Sequence, residues 1–283
     1  MERSLQDTEK DRRQKYLSKL KELKLFDDTF FFHCISTFPE TLEPMIRIIL
    51  GRKDLRIVTV NAQKEEGQLF ARRGRFDVLA ADEEGRYYEI EVQNTYSGVL
   101  PQRARFYSAL LDYSLLRPSE DYRKLPESFV IIIMANNELK QKRTVAKYTR
   151  RNEDDEPLND GSHIVFVNGE SRGSGDEVEK LMHDFRCTEP EDMNYDFLRR
   201  PVEYYKRDRK GRNDMCDVIQ KIVNEERVSA KAEGVAEGEA IGIRKEKMAM
   251  VKEMLKDGAL PVSRIAKISG LTISEVSALA KEL

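Results

Sequence analysis

Apolar residues recur at helical spacing through the first fifty positions. Between Arg3 and Lys24 a charged stretch carries Leu5, Tyr16, Leu17, Leu20 and Leu23, and "TFFFHCISTF" follows as a second helical segment. "ETLEPMIRIILG" then sets Leu42, Met45, Ile46, Ile49 and Leu50 on one face, with Gly51 as the stop. Pro44 is tolerated there because the helix has only just begun. Beyond it the pattern changes to that of strands. Leu55–Gln63 reads as a strand by its β-branched content, "KEEGQLFARRG" as a loop, and Arg75–Ala81 and Arg86–Gln93 as two strands joined through "DEEG". A helix is expected over "SGVLPQRARFYSALLDYSLL", with Pro101 near its N-terminus. Ser128–Ala135 is short and apolar throughout, a strand buried on both faces, and His163–Gly169 is another strand. The order α-β-β-β-α-β predicts the α/β class, a mixed sheet flanked by helices.

Past Asp176 the texture becomes polar and helical. Asp217–Lys256 reads as one long helix, whole or broken, in which Gly234, Gly238 and Gly242 recur every four residues. Such glycines cost about 1 kcal/mol each in a helix interior. They either admit another backbone or mark a flexible join. "LPVSRIAKISGLTISEVSALAKEL" makes two short helices around "SGLT", and its central Gly270 has helix-turn-helix spacing. The second of these helices is short and carries Glu275, so sequence-specific DNA binding and protein contact both stay open. Four segments are therefore expected: an N-terminal helix (1–24), an α/β domain (25–200), a helical extension (201–258) and the short helical tail (259–283).

Composition narrows the setting. The chain has 283 residues, 40% hydrophobic and 35% charged, which suits a packed core under a heavily solvated surface. No run approaches the ~20 apolar residues of a membrane helix, and the N-terminus lacks the apolar stretch of a secretory signal. Cys34, Cys187 and Cys216 are odd in number and widely spaced, which points to a reducing compartment and the cytoplasm. A formal charge of −2 conceals basic clusters at Arg72, Arg73 and Arg75, at Arg103 and Arg105, at Lys140–Arg151 and at Arg199–Arg212. That distribution allows a basic surface around an acidic site.

Acids interrupt the best β-sequence. Asp77, Glu89 and Glu91 lie within "RFDVLAADEEGRYYEIEVQ". A type I turn with Gly85 left-handed gives a three-residue loop that pairs Asp82 with Arg86 and, counting back, sets Asp77 opposite Glu91, whereas a four-residue loop would set Asp77 opposite Ile90. Glu89 and Gln93 then share the Glu91 face, while Phe76, Val78, Ile90 and Val92 fill the other. Facing carboxylates are stable if the face is exposed, if Arg72, Arg75 or Arg86 pairs with them, or if a hard cation such as Mg²⁺ lies between them.

A strand carrying Asp, a return strand carrying Glu-x-Gln and a following helix with Arg103 and Tyr107 resemble the PD-(D/E)XK nuclease core. Within that superfamily the chain resembles the recombination-promoting nuclease/putative transposase family, through "LFDDTFFFH", "RIILG", "GRFDVLAADEEGRYYEIEVQN", "LPQRARFYSALLD", "ESFVIIIM" and "LNDGSHIVFVNG", over roughly Leu25 to Gly169. The resemblance implies a restriction-endonuclease-like fold and Mg²⁺-dependent hydrolysis of DNA phosphodiesters, with Mn²⁺ as a substitute. It makes Asp77 the central aspartate, Glu91 the second acid and Gln93 the occupant of the usual lysine position. The metal would be held by Asp77, Glu91, the Val92 carbonyl and a glutamate of the first helix, Glu43 in preference to Glu40.

A carboxylate-bound Mg²⁺ lowers the pKa of water and polarises the phosphoryl oxygen. Arg103 offers a planar fork to a phosphate, and Arg72, Arg73, Arg75 and Arg105 are further candidates for DNA contact. An amide at Gln93 cannot supply lysine's charge. That opens a second reading, a catalytically weak nuclease-like DNA-binding or assembly module. A third is a transcription regulator whose tail reads DNA. The expected partners are DNA and a second copy of the chain through the C-terminal helices, with no membrane.

Overall fold

The computed structural model describes residues 13–66 and 74–281. They fall into two compact units, residues 1–217 and 218–283, divided within one long helix. The first unit opens with α1 (residues 13–22), α2 (Asp28–Thr37) and α3 (Leu42–Leu50). Then come β1 (Ile57–Glu66), β2 (Gly74–Asp82), β3 (Tyr87–Gln93), α4 (Leu100–Leu115), β4 (Ser128–Met134), β5 (Val145–Tyr148) and β6 (Ser162–Asn168). Helices α5 (Glu177–Arg186) and α6 (Asp196–Arg207) follow, and α7 (Arg209–Asp257) leads into the second unit, which ends in α8 (Val262–Ser269) and α9 (Ile273–Lys281).

The six strands form one mixed sheet in the order β1-β2-β3-β4-β6-β5. β1, β2 and β3 are antiparallel, β3, β4 and β6 run parallel, and β5 closes the edge antiparallel to β6. The α/β class and mixed sheet expected from the pattern are what the chain adopts. β4 is buried along its whole length, as a run of apolar residues in a central parallel strand requires. On one face Leu79, Val130, Ile132, Met134 and Phe166 pack against Leu100, Ala104, Tyr107 and Leu111 of α4. On the other, α2 lies against β1, β2 and β3, α3 against α5, and α6 against α2. Phe26 and Phe31 meet Phe185 of α5 with ring centroids 5.4 and 5.7 Å apart. Lys206 of α6 fastens this layer by donating to the carbonyls of Lys21, Leu23 and Thr188 at 3.0, 2.6 and 2.6 Å, and burial pushes its pKa down to about 8.

Several boundaries differ from the pattern. Lys64–Glu66 and Gly74 of the expected loop "KEEGQLFARRG" belong to strands, and residues 67–73 lie outside the described residues. β5, read only as part of a basic run, is a four-residue strand held by its pairing with β6. The helix expected from Asp217 starts at Arg209.

In the second unit Val251, Ile265, Ala266, Val276 and Leu279 make a small core of their own. Gly270 ends α8 at φ +70°, and Thr272 and Glu275 form a reciprocal capping box at the start of α9. Among the described residues no helix is long and apolar enough to cross a membrane.

Candidate active site

The hairpin β2–β3 is set by its turn. Gly85 takes φ +77°, the Gly85 N–H donates to the Asp82 carbonyl at 3.0 Å, and the Asp82 N–H donates to the Arg86 carbonyl at 3.0 Å. Asp82 itself is buried, accepting from the Arg86 Nε and the Tyr88 hydroxyl at 2.7 Å each. Burial acts to raise its carboxyl, but the Tyr88 hydroxyl and the Arg86 N–H and guanidinium bring it below the ordinary value. The register then pairs Ala81 with Tyr87, Leu79 with Glu89 and Val78 with Ile90. The paired residues end there, and Asp77 precedes Val78 within β2.

Glu89 and Glu91 lie on the face covered by α4, with Glu89 fully buried and Glu91 only 3% exposed. Because β3, β4 and β6 are parallel, Glu91 and Gln93 sit at their carboxyl ends, opposite Ile132 and Met134 of β4. That end of an α/β sheet is where ligands bind. α4 is aimed there by the loop before it. Glu138 accepts from the Ser97 N–H, the Ser97 hydroxyl and the Gly98 N–H at 2.9, 3.2 and 2.7 Å, and Gly98 turns the chain at φ +70°. One turn into α4, Arg103 places Nη2 2.9 Å from Glu91 Oε1 and Nη1 2.5 Å from Gln93 Oε1. Its guanidinium lies 5.9 Å from the ring centre of Tyr107. Burial raises the Tyr107 phenol well above its ordinary value, and the Glu91 carboxylate adds to the shift.

Other expected residues are placed elsewhere. Glu43 is engaged at the edge of the sheet. Its carboxylate accepts from the Ile57 N–H at 2.9 Å and pairs with Arg47 at 2.8 Å, at the start of β1. Ile57 aligns with Asp82, five residues from Asp77, or roughly 16 Å of strand. Glu40 and Glu43 share a shallow depression with Val60, whose partner Ala80 belongs to the opposite face from Leu79 and Glu89. The acid that the first helices do bring to this end is Asp27, just before α2, whose Oδ1 accepts from Asn94 Nδ2 at 3.0 Å. Asp27 belongs to "LFDDTFFFH", where the sequence pattern marks only a helix start. Val92 pairs with Ile133 in the parallel ladder. Arg105 is exposed on α4, Arg75 stands opposite Glu65 in the β1–β2 ladder, and Arg72 and Arg73 lie outside the described residues.

Residues 45–179 match the family model described as PD-(D/E)XK nuclease family transposase. Over those residues, a little under half of the chain, the sequence is similar to this family. Searches of curated proteins and of solved structures give no match. The PD-(D/E)XK segment contains the hairpin, α4 and every strand of the parallel core, while the second unit lies outside it.

The donor set fits a hard divalent cation. It consists of the buried carboxylates of Glu89 and Glu91 on one face, and it offers oxygen rather than thiolate or imidazole. A second group, His183, Asp184 and Cys187, also brings potential ligand atoms within 4.8 Å of one another. Its chemistry is already committed. Asp184 accepts from Asn194 N and Nδ2 at 2.8 and 2.7 Å and from the Tyr195 N–H at 2.8 Å, which holds the loop before α6. Burial pushes the Cys187 thiol up to about 11, disfavouring the thiolate a metal needs.

Proposed function

We propose that the PD-(D/E)XK domain is a divalent-metal-dependent DNA endonuclease acting in recombination or on mobile DNA. One observation carries the reading: two buried acids, Glu89 and Glu91, lie on the α4-facing side of β3, Glu91 toward the carboxyl end of the parallel strands, with Arg103 across Glu91. Asp77 and Glu91 are the proposed metal-holding acids, with the Val92 carbonyl as a further oxygen. Mg²⁺, or Mn²⁺ in its place, would lower the pKa of a water and polarise the phosphoryl oxygen. Hydrolysis forms one bond from phosphorus to the water oxygen and breaks one to a sugar oxygen. The proton lost by the water is passed on, and the leaving oxygen takes one up. The chain's own part is to present Glu91 rigidly from the sheet and to bring Arg103 alongside the phosphate from α4. Arg75 and Arg105, with Arg72 and Arg73, are proposed to neutralise DNA phosphates, so binding should weaken steeply with salt.

Gln93 favours a second reading, a nuclease-like module that binds DNA but cuts poorly, because its amide carries no charge. Cleavage of supercoiled plasmid separates the two. Nicking by wild type in Mg²⁺ that is lost in EDTA, in Asp77→Ala and in Glu91→Ala is the expected result. Salt-sensitive DNA binding with no cutting in Mg²⁺ or Mn²⁺ sinks the nuclease in favour of the binding module.

A further inference from the structure

We propose that Arg103 supplies the fixed positive charge of this site and that Gln93 is the residue that positions it. The proposal rests on the nuclease reading above and concerns how that site works without a lysine.

The amide of Gln93 is held in one orientation. Its Nε2 donates to the Thr95 carbonyl at 3.0 Å and the Thr95 hydroxyl at 3.3 Å, which leaves Oε1 turned to Arg103 Nη1 at 2.5 Å. The other arm of the same guanidinium reaches Glu91 Oε1 at 2.9 Å. One planar fork thus spans both residues of the Glu-x-Gln pair through two separate nitrogens. A lysine at position 93 would set a second cation against Arg103. Glutamine instead presents an acceptor to it, so the amide and the arginine form one device.

The exposures agree with that division of labour. The Glu91 side chain is 4% exposed, whereas that of Arg103 is 38% exposed, so the guanidinium lies between a buried acid and solvent. Tyr107, one turn along α4, places its ring 5.9 Å from the guanidinium carbon and steadies it from the helix side. A phosphodiester approaching Glu91 from solvent meets this cation. Arginine keeps its proton at any working pH, so Arg103 stabilises charge developing on the phosphate and takes no part in proton transfer. Gln93 touches no reacting atom and acts through Arg103.

The test moves the charge between the two positions in the full-length protein. Arg103→Ala, Gln93→Lys, and the double variant Gln93→Lys with Arg103→Ala are compared with wild type in steady-state cleavage of a labelled duplex. Mn²⁺ affinity by calorimetry and melting temperature are measured on each. Arg103→Ala should lower kcat by ~10²–10³-fold, the cost of losing one preorganised donor, with KM changed by less than ~3-fold. The double variant should recover at least ~10-fold of that loss, because lysine restores the charge from the neighbouring strand. Gln93→Lys alone should be slower than the double variant, since two cations then compete. Removing Arg103 should also tighten Mn²⁺ binding several-fold by relieving repulsion at Glu91.

Cutting by Arg103→Ala at close to the wild-type rate, while Glu91→Ala is inactive, overturns the proposal and leaves the nuclease reading standing. A folded double variant with no recovery reduces Arg103 to a structural ion pair and overturns it equally. If wild type binds Mn²⁺ but does not cut, Mn²⁺ affinity decides, and unchanged or weaker binding by Arg103→Ala rejects the proposal. Wild type that neither cuts nor binds Mn²⁺ removes the nuclease reading itself.

Discussion

Asp82 and Glu91 are both buried acids of one hairpin, and their surroundings assign them different tasks. Asp82 is enclosed by the Arg86 guanidinium and N–H, the Glu84 N–H and the Tyr88 hydroxyl, all from the turn and strand it helps to fix. Its folded pKa lies below the ordinary 3.8 because the hydrogen bonds outweigh burial. A depressed carboxylate contributes stability that is present above the unfolded pKa and is lost as pH falls through the folded one. Asp82→Asn should therefore lower stability by an amount that is constant above about pH 4 and shrinks on further acidification. Denaturant melts of the pair between pH 7 and pH 2.5 read this directly, and a difference that grows on acidification contradicts it. Glu91 instead meets a half-exposed arginine from another element. Spacing alone distinguishes neither case, because "DEEGR" and "EIEVQ" are both acid-rich β-sequence. The signal that separates them is positional: Asp82 belongs to the turn and Glu91 to the end of the strand. The same limit explains Glu43 and Asp27. Helical periodicity shows that an acid is near a helix start, but only tertiary packing decides which end of the sheet that start reaches.

The hairpin turn is the best-read element in the chain because its chemistry is local. "DEEG" demands a left-handed residue before the return strand, and Gly85 supplies φ +77°. A Cβ there would meet nothing within 4 Å, so a substitution costs conformational strain alone. Gly85→Ala should destabilise the first unit by about 1–2 kcal/mol, and Gly85→Asn by less. Neither should change plasmid cleavage while the protein is folded, since the register would survive. A loss of cutting without a fall in melting temperature would instead mean that the turn itself takes part in function. β4 was equally legible, being short, apolar and central. β5 was not, because "VAKY" is four residues inside a basic run and becomes a strand only through its ladder with β6. Long-range pairing of this kind leaves no period in so short a segment.

At the scale of the whole molecule Asp77, Glu91, Gln93 and Arg103 all belong to the first unit and to the PD-(D/E)XK match, so the second unit must be judged by its own chemistry. Glu275, which spoke against a DNA-reading helix, has a local explanation. It closes a capping box with Thr272 and pairs with Arg244 at 3.1 Å. The small core around Val251, Ile265 and Val276, all fully buried, is separate from that of the sheet. Ile265→Ala should therefore cost the second unit roughly 2–5 kcal/mol and lower one calorimetric transition while leaving the other in place. Plasmid cutting measured below that lowered transition should stay within about 2-fold of wild type, because the variant leaves the β2–β3 hairpin and α4 untouched. If cutting collapses while the first-unit transition is unchanged, then the C-terminal helices are needed to assemble the enzyme on DNA. That outcome would shift the weight of function from a self-sufficient hairpin site to an oligomer or a targeting tail, and would bring the regulator reading back beside the nuclease.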